Sequence, residues 1–309
     1  MNEEESIKYI NEQQRIYKGL VHASNINTKL KKIKSGKKLA ALKRLSIKYA
    51  EYLKNNLELK SWDDSAIDKR VQWLNDYYNF YDNPSPFDYN KEFTAQGKLR
   101  PTILEEFLFL LFMPYMSTLK EEKDDKNVIS SGIAKAYTNL YFSPSNLSGF
   151  VDSPSVKVNE KDQDYAIYRD IIFQVIKQKI KKRKKTVEDY ENNIQQQVAT
   201  KIPIFAAEVK TYLDKTMLEG VIATAEKLKM GNPYARSVVV TETYEVDINV
   251  DPSYSQIDQI YVLRKCSNKD AKQTIQSDVV KVLFSDAKRH IEGQWSDVES
   301  KLKNSGLII

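Results

Sequence analysis

The chain contains one cysteine and two histidines, and this scarcity excludes several kinds of enzyme. A single cysteine, Cys266, cannot form an internal disulfide. His22 and His290 stand far apart in the sequence, without the neighbours that zinc sites and histidine-dependent nucleases require. Any hydrolysis by this chain would therefore depend on carboxylates, lysine and a hard metal ion.

A secretory signal and long apolar runs are also missing. The first residues are acidic, whereas a secretory signal starts with basic and then apolar residues. No uninterrupted apolar run approaches the roughly 20 residues that cross a bilayer. We therefore expect a cytoplasmic protein with no membrane partner.

The first hundred residues have helical spacing. Ile67, Val71, Leu74 and Tyr78 recur along one stripe of a helix that begins near Asp63. A turn-rich segment at residues 82–88 follows and indicates a boundary. Residues 102–105 predict a capping box that opens an apolar helix at residues 107–113. A further predicted helix ends near Phe142.

After Pro154 the pattern changes to strands. The later half of residues 156–175 predicts one arm of a hairpin whose tip is the basic run at residues 177–185. The other arm is residues 203–211, which predict a buried central strand. The remaining predicted elements are a helix ending at Gly231, strands at residues 237–243 and 257–263, and a helix at residues 277–295. This order predicts an α/β fold with a mixed sheet.

Two charged residues end the predicted central strand. Side chains alternate along a strand, so Glu208 and Lys210 point to the same face. Ala206 and Ala207 before them are small and leave space beside the charges. Asp164, which opens an earlier strand-like segment, offers a second carboxylate. Mg²⁺ needs few protein oxygens because it retains water or phosphate oxygens, so two carboxylates on adjacent strands suffice.

Two other residues are alternatives for the first carboxylate. Asp162 is expected to share the face of Asp164, because it lies two residues earlier in the same predicted strand. Asp170 lies on that face only if the strand continues unbroken. The choice between these residues stays open at this point.

These segments together resemble the PD-(D/E)XK nuclease superfamily. The resemblance runs from Thr102-Ile-Leu-Glu-Glu-Phe-Leu through Asp164-Tyr-Ala-Ile and Ala207-Glu-Val-Lys-Thr to Ile257-Asp-Gln-Ile-Tyr-Val-Leu-Arg-Lys. Within the superfamily, Glu208-Val-Lys-Thr-Tyr-Leu-Asp-Lys-Thr-Met is similar to type II restriction endonucleases of the BbvCI kind. The resemblance covers about two thirds of the chain.

The resemblance implies a role for each residue of the central motif. It implies that Asp164 and Glu208 bind Mg²⁺ with help from the backbone carbonyl of Val209, and that Lys210 orients and activates the attacking water. Hydrolysis would then leave a 5′-phosphate and a 3′-hydroxyl. Another nuclease of the same core, for repair or junction resolution, and a non-catalytic DNA-binding subunit are the alternatives.

The resemblance also implies an architecture. We expect a restriction-endonuclease-like catalytic domain at residues 96–309, with a mixed sheet flanked by helices, and a helical DNA-contacting region at residues 1–95. Glu105 or Glu106, early in the helix before the sheet, is a further candidate for binding the metal. For Glu105, the predicted capping box is an equally good explanation.

Two basic clusters flank this nuclease-like core and predict contacts with the phosphates of double-stranded DNA. No Asp or Glu occurs at residues 13–50, and a second basic run occupies residues 177–185. The candidate DNA contacts are Lys37, Lys38, Lys43, Arg44, Lys181, Lys182, Arg183 and Lys184. One site cuts one strand, so a double-strand break implies a homodimer or a sister subunit.

Overall fold

The computed structural model describes residues 1–93, 99–122, 129–152, 155–176, 194–267, 273–293, 295, 299 and 303. Five strands form one mixed sheet, with helices on its faces and a helical layer built from the first part of the chain. The helices are α1 (Glu3–Ile16), α2 (Val21–Lys32), α3 (Lys37–Glu58), α4 (Asp64–Asp82), α5 (Tyr89–Glu92), α6 (Leu99–Glu122), α7 (Leu147–Asp152), α8 (Lys215–Gly231) and α9 (Ser277–Glu292). The strands are β1 (Ser130–Phe142), β2 (Val156–Ile176), β3 (Ile194–Leu213), β4 (Arg236–Tyr244) and β5 (Gln259–Val262).

Helix α4 begins where its sequence predicts. The side chain of Asp63 caps the helix by accepting a hydrogen bond of 2.8 Å from the backbone N–H of Ala66. Ile67, Val71 and Leu74 are buried along one stripe of the helix. Asp63 therefore marks the start of this helix, and the 3.6-residue period identifies its inner face.

Helix α6 begins earlier than the predicted capping box. It starts at Leu99, and the hydroxyl of Thr102 donates to the carbonyl of Leu99 from within the helix. The prediction of a cap at Thr102 is therefore wrong. The helix is long and apolar enough to cross a membrane, but 78% of its most apolar stretch is buried inside the protein. It is a core helix, and its Phe112 stacks on Tyr165 and Phe284.

The helical prediction before Phe142 is also wrong, because these residues form strand β1. Burial alternates along the strand, and Gly132, Ala134, Ala136 and Thr138 are the buried residues. These residues are small, so the two-residue period carries little hydrophobic contrast in the sequence. The strand is thus recognisable from its partners rather than from its own composition.

The sheet order is β1-β2-β3-β4-β5. β2 pairs antiparallel with both β1 and β3, whereas β3 pairs parallel with β4 and β4 pairs parallel with β5, so the sheet is mixed as predicted. β2 and β3 are the arms of the predicted hairpin, and β3 is the central strand. The basic run at residues 177–185, which includes Lys181, Lys182, Arg183 and Lys184, lies outside the described residues.

One apolar core connects the helical layer with the sheet. It includes Ile10 and Leu45 from the first helices, Phe107 from α6, and Phe205 and Leu283 from the later part of the chain. The predicted division between residues 95 and 96 stays a prediction. What the core shows is that α6 packs against both parts, which fixes the helices relative to the strands.

Candidate active site

Asp164, Glu208 and Lys210 lie together on one face of the sheet. The ammonium of Lys210 donates to Oε2 of Glu208 at 2.9 Å and to Oδ2 of Asp164 at 3.2 Å. Both carboxylate oxygens therefore contact the same nitrogen atom. We call these three residues the carboxylate–lysine cluster. The structure thus brings together the three residues at the centre of the predicted motif.

The alternation of β3 produces this arrangement. Ala207 and Val209 belong to the apolar core on one face of the sheet, so Glu208 and Lys210 emerge on the other face. The backbone N–H of Val209 donates to Oδ2 of Asp164 at 2.8 Å, which ties the β2 carboxylate to β3. Backbone geometry, and not only side-chain attraction, therefore positions Asp164.

An irregularity in β2 separates Asp164 from Asp162. Gly132 and Ala134, two residues apart on β1, pair with Ala166 and Gln163, which are three residues apart on β2. The extra residue is a β-bulge, and a bulge reverses the alternation of faces beyond it. Asp162 therefore lies on the opposite face from Asp164, and the expectation that the two share a face is wrong.

Asp170 lies on the face of Asp164 but at a distance along the strand. β2 continues through Asp170, so the condition stated for this residue is met. Six residues of strand separate it from Asp164, which amounts to about 20 Å. Its carboxylate contacts Lys201 at 3.1 Å. The structure therefore brings Asp164, rather than Asp170, to Glu208 and Lys210.

The cluster is partly open to solvent and carries an excess of negative charge. Two carboxylates face one ammonium, and 31% of the Asp164 side chain is exposed. Burial alone lowers the pKa of Lys210, but the charges of Asp164 and Glu208 outweigh it and raise the pKa above its usual value. Lys210 is therefore firmly protonated here and acts as a hydrogen-bond donor.

The donors of the cluster fit a hard divalent cation. Asp164 Oδ2 and Glu208 Oε2 lie near each other, because both oxygens contact the Nζ atom of Lys210. Carboxylate oxygens are ligands that Mg²⁺ prefers, and this ion retains several waters. Among the described residues, no three or more His, Cys, Asp or Glu side chains gather into a larger metal-binding group. A site in this region would therefore rest on two carboxylates and on backbone or solvent oxygens.

Glu106 serves a different part of the molecule. Its Oε2 accepts hydrogen bonds from the backbone N–H groups of His22 and Ala23, at 2.9 and 3.1 Å, and its Oε1 accepts one from the hydroxyl of Tyr49 at 2.6 Å. Burial raises the pKa of Glu106 to about 7. The structure does not bring this residue to the cluster. Glu105 precedes it on α6 and is half-buried, and its role in metal binding stays a prediction.

A second charged cluster, which the sequence did not reveal, lies within the protein. Glu242 on β4 is buried and accepts hydrogen bonds from Arg100 at 2.5 and 3.0 Å and from Arg264 at 2.9 Å. Arg100 also contacts Asp82 at 3.1 Å and lies over the ring of Tyr78 at 3.8 Å. We call Asp82, Arg100, Glu242 and Arg264 the Glu242 network. Its members are far apart in the chain, so only the tertiary fold unites them.

The candidates for DNA contact that fall within the described residues, Lys37, Lys38, Lys43 and Arg44, lie on α3. Lys37 pairs with Glu92 at 3.3 Å, Lys43 pairs with Glu3, and Arg44 lies 5.7 Å from the ring centroid of Phe80. Lys38 is exposed. Exposed Lys31, Lys32 and Lys34 lie at the end of α2 and in the turn before α3. The turn between the two helices thus carries a group of accessible positive charges.

Comparison with known proteins assigns the chain to a family. No curated protein matches it. The structure is similar to a solved structure described as the native BbvCI A2B2 tetramer at low resolution, with a TM-score of 0.62 and 18% sequence identity over 90% of this chain and 98% of that one. That similarity shows a restriction-endonuclease fold. Residues 96–282 match the Bpu10I restriction endonuclease, and the chain therefore belongs to the Bpu10I restriction endonuclease family.

Proposed function

We propose that this chain is a subunit of a type II restriction endonuclease that hydrolyses DNA phosphodiester bonds at a specific sequence with Mg²⁺. One observation carries the proposal: two carboxylates and a lysine from adjacent strands converge on one open face of the sheet. The family is one of restriction endonucleases, which generally use a divalent metal ion. The products would be a 5′-phosphate and a 3′-hydroxyl.

Each residue of the carboxylate–lysine cluster would have a distinct role in hydrolysis. Asp164 and Glu208 would bind Mg²⁺ together with the carbonyl of Val209, and the N–H of Val209 would keep Asp164 in place. When bound, Mg²⁺ supplies positive charge against the charge that develops on the scissile phosphate. Lys210 stays protonated beside both carboxylates, so its ammonium would orient the attacking water and the phosphate by donating hydrogen bonds.

The accessible lysines between α2 and α3 support double-stranded DNA as the substrate. Lys31, Lys32, Lys34 and Lys38 form a positive surface whose contact with phosphates would release counterions. Such contacts position the duplex but do not select a sequence. The helical layer would therefore hold the DNA while other residues read the bases.

A double-strand break requires a second active site. The structural neighbour is an A2B2 tetramer, which holds two kinds of subunit. By analogy, this chain would act with a further copy of itself or with a sister subunit. One carboxylate–lysine cluster would then cut each strand of the duplex.

Plasmid cleavage tests the proposal directly. Supercoiled DNA incubated with the protein and Mg²⁺ should give nicked circles or discrete linear fragments, and EDTA should abolish both products. Ca²⁺ should support binding without cutting, because it prefers looser and higher coordination than Mg²⁺. Cleavage that persists in EDTA would contradict the metal role. DNA binding without cleavage, by the chain alone and with a sister subunit, would indicate a non-catalytic subunit instead.

A further inference from the structure

Gln163 lies immediately before Asp164 on β2 and is buried, with 1% of its surface exposed. Its side-chain Nε2 donates to the backbone carbonyl of Asp162 at 2.9 Å. Its Oε1 is also buried, but this oxygen has no hydrogen-bond partner in the part of the chain that the structure describes. A buried carbonyl oxygen without a donor costs free energy, and such oxygens are rare in native proteins. The Oε1 atom of Gln163 therefore calls for a donor that the described residues do not supply.

The pairing of β1 with β2 places Gln163 on the face of the carboxylate–lysine cluster. Gln163 pairs with Ala134 on β1, and residues that pair across antiparallel strands project to the same face. Ala134 belongs to the same apolar group as Ala206, and Ala206 shares the face of Glu208, which follows it by two residues on β3. Gln163 therefore projects to the same face as Asp164, although the two residues are consecutive.

The β-bulge makes this arrangement possible. In a regular strand, consecutive side chains project to opposite faces, so Gln163 and Asp164 could not share one. The extra residue of the bulge brings both to the face of the cluster, and Asp162 lies on the other face as a result. Bulges are frequent next to active sites, where they redirect a side chain. Here the bulge adds a neutral oxygen acceptor next to the first carboxylate of the cluster.

The charge of the cluster indicates which donor fits this oxygen. The ammonium of Lys210 already donates to Asp164 and Glu208. Two carboxylates against one ammonium leave a negative charge, which attracts a hydrated cation. Mg²⁺ retains several waters when carboxylates bind it, and the ion polarises these waters into strong hydrogen-bond donors. An amide oxygen can accept such a bond without adding a further charge to the site.

We propose that Gln163 is a positioning residue of the metal site, and that its Oε1 accepts a hydrogen bond from a water bound to the cation that Asp164 and Glu208 hold. The inference rests on the proposed function for the presence of that cation. Residues that bond the ligands of a metal ion typically change its affinity about 10- to 100-fold. Because Gln163 is buried, it acts on the binding of the cation and not on the DNA.

Metal binding by the full chain, without DNA, tests this role. Mn²⁺ is the probe, and electron paramagnetic resonance measures the free ion during a titration. Gln163→Met keeps the length of the side chain but removes the acceptor oxygen, so the dissociation constant for Mn²⁺ should rise about 10-fold or more. The variant should fold, because an apolar group is tolerated where the amide oxygen has no donor. Circular dichroism and urea denaturation in EDTA would show this.

Gln196→Met is the matched control. Gln196 lies on β3, where its Oε1 accepts from the N–H of Val156 at 2.9 Å and its Nε2 donates to the carbonyl of Val156 at 2.7 Å. This variant should lose stability because both bonds are lost, but it should bind Mn²⁺ like the wild type. Gln163→Glu retains an acceptor oxygen and should bind Mn²⁺ at least as tightly as the wild type.

The outcomes separate this inference from the proposed function. Equal Mn²⁺ affinity of the wild type and Gln163→Met, or a Gln163→Glu variant that binds as weakly as Gln163→Met, would overturn the role of Gln163 and leave the proposed function intact. A wild-type protein whose Mn²⁺ binding depends on Gln163 but which never cleaves DNA would support this role and contradict the proposed function. A wild-type protein that binds no Mn²⁺ at millimolar concentrations would overturn both.

Discussion

Two charged clusters lie on the sheet, and they differ in whether their charges cancel. In the Glu242 network, two carboxylates face two guanidinium groups, and only 5% of the Glu242 side chain is exposed. In the carboxylate–lysine cluster, two carboxylates face one ammonium, and 31% of the Asp164 side chain is exposed. The first cluster is electrically complete, whereas the second has an unpaired negative charge at an accessible place.

The difference separates stabilisation from binding. Burial alone would raise the pKa of Glu242, but Arg100 and Arg264 hold it below its usual value, so Glu242 stays ionised. A network whose charges are all paired has no free charge that could bind a ligand. An incomplete cluster that water can reach attracts a cation. We therefore expect substitutions in the two clusters to affect different properties.

The largest expected effect is on cleavage. Glu208→Gln keeps the shape of the side chain but removes its charge, and Lys210→Ala removes the donor. Each should reduce the cleavage rate about 1000-fold or more, equivalent to about 4 kcal/mol. Single-turnover cleavage of plasmid DNA measures the rate. Asp170→Asn is the matched control, because Asp170 lies on the same face but contacts Lys201. Normal turnover by Glu208→Gln would remove the cluster from the mechanism.

The next effect is on stability. Glu242→Ala leaves Arg100 and Arg264 without their shared carboxylate inside the protein, and this should lower the free energy of unfolding by about 3–5 kcal/mol. Urea denaturation measures the change. Glu208→Gln should lower it little, since removing one of two neighbouring carboxylates relieves repulsion. Equal losses in both variants would show that the two clusters do not differ as described.

Glu106 offers a third case, a buried carboxylate without a cationic partner among the residues it bonds. Burial raises its pKa from an ordinary value of 4.5 to about 7 in the folded protein, so the folded state binds its proton more tightly. The unfolded chain ionises first as the pH rises from 4.5 to 7, and folding should lose on the order of 3 kcal/mol across that range.

Glu106→Gln should remove this loss. Urea denaturation at pH 5 and pH 8 should show wild-type stability falling relative to the variant as the pH rises. Other titrating groups affect both proteins alike, so the difference between them isolates Glu106. Parallel changes in the two proteins would mean that Glu106 is not held near neutrality by burial.

The smallest effect compares an accessible lysine with a paired one. Lys38→Ala should reduce the slope of log affinity for DNA against log salt by about one unit if Lys38 contacts a phosphate. Lys43 already contacts Glu3, so Lys43→Ala should change the slope less. Filter binding or fluorescence anisotropy at several salt concentrations measures both. Identical slopes in the two variants would contradict a role for free charge at the turn between α2 and α3.

The centre of the site was predictable because its information is local. Glu208 and Lys210 are two residues apart on a strand whose apolar run is visible in the sequence, so alternation alone places them on one face. The pairing of Asp164 with this strand followed from the expected hairpin. Local sequence therefore predicted both the proximity of these residues and the order of β2, β3 and the following helix.

What the sequence did not reveal depends on tertiary contacts. The bulge that moves Asp162 to the other face is defined by the register with β1, and β1 itself was hidden by its small residues. Glu106 looked like a candidate ligand because only the packing of α2 shows what it bonds. The Glu242 network joins residues from four separate segments, and no local sequence pattern indicates that these residues come into contact.

The bonds of Glu106 have a consequence for how this chain can be divided. Helix α2 has no side-chain cap of its own, and Glu106 of α6 provides acceptors for its first free N–H groups. The same α6 packs Phe112 against Tyr165 beneath the sheet. A fragment that lacks α6 would lose the cap of α2, and a fragment that begins with α6 would expose a carboxylate and an apolar face. The helical layer therefore cannot be transferred to another enzyme by itself. The transferred segment would have to include α6, and the face of the new sheet would have to be redesigned to pack against α6.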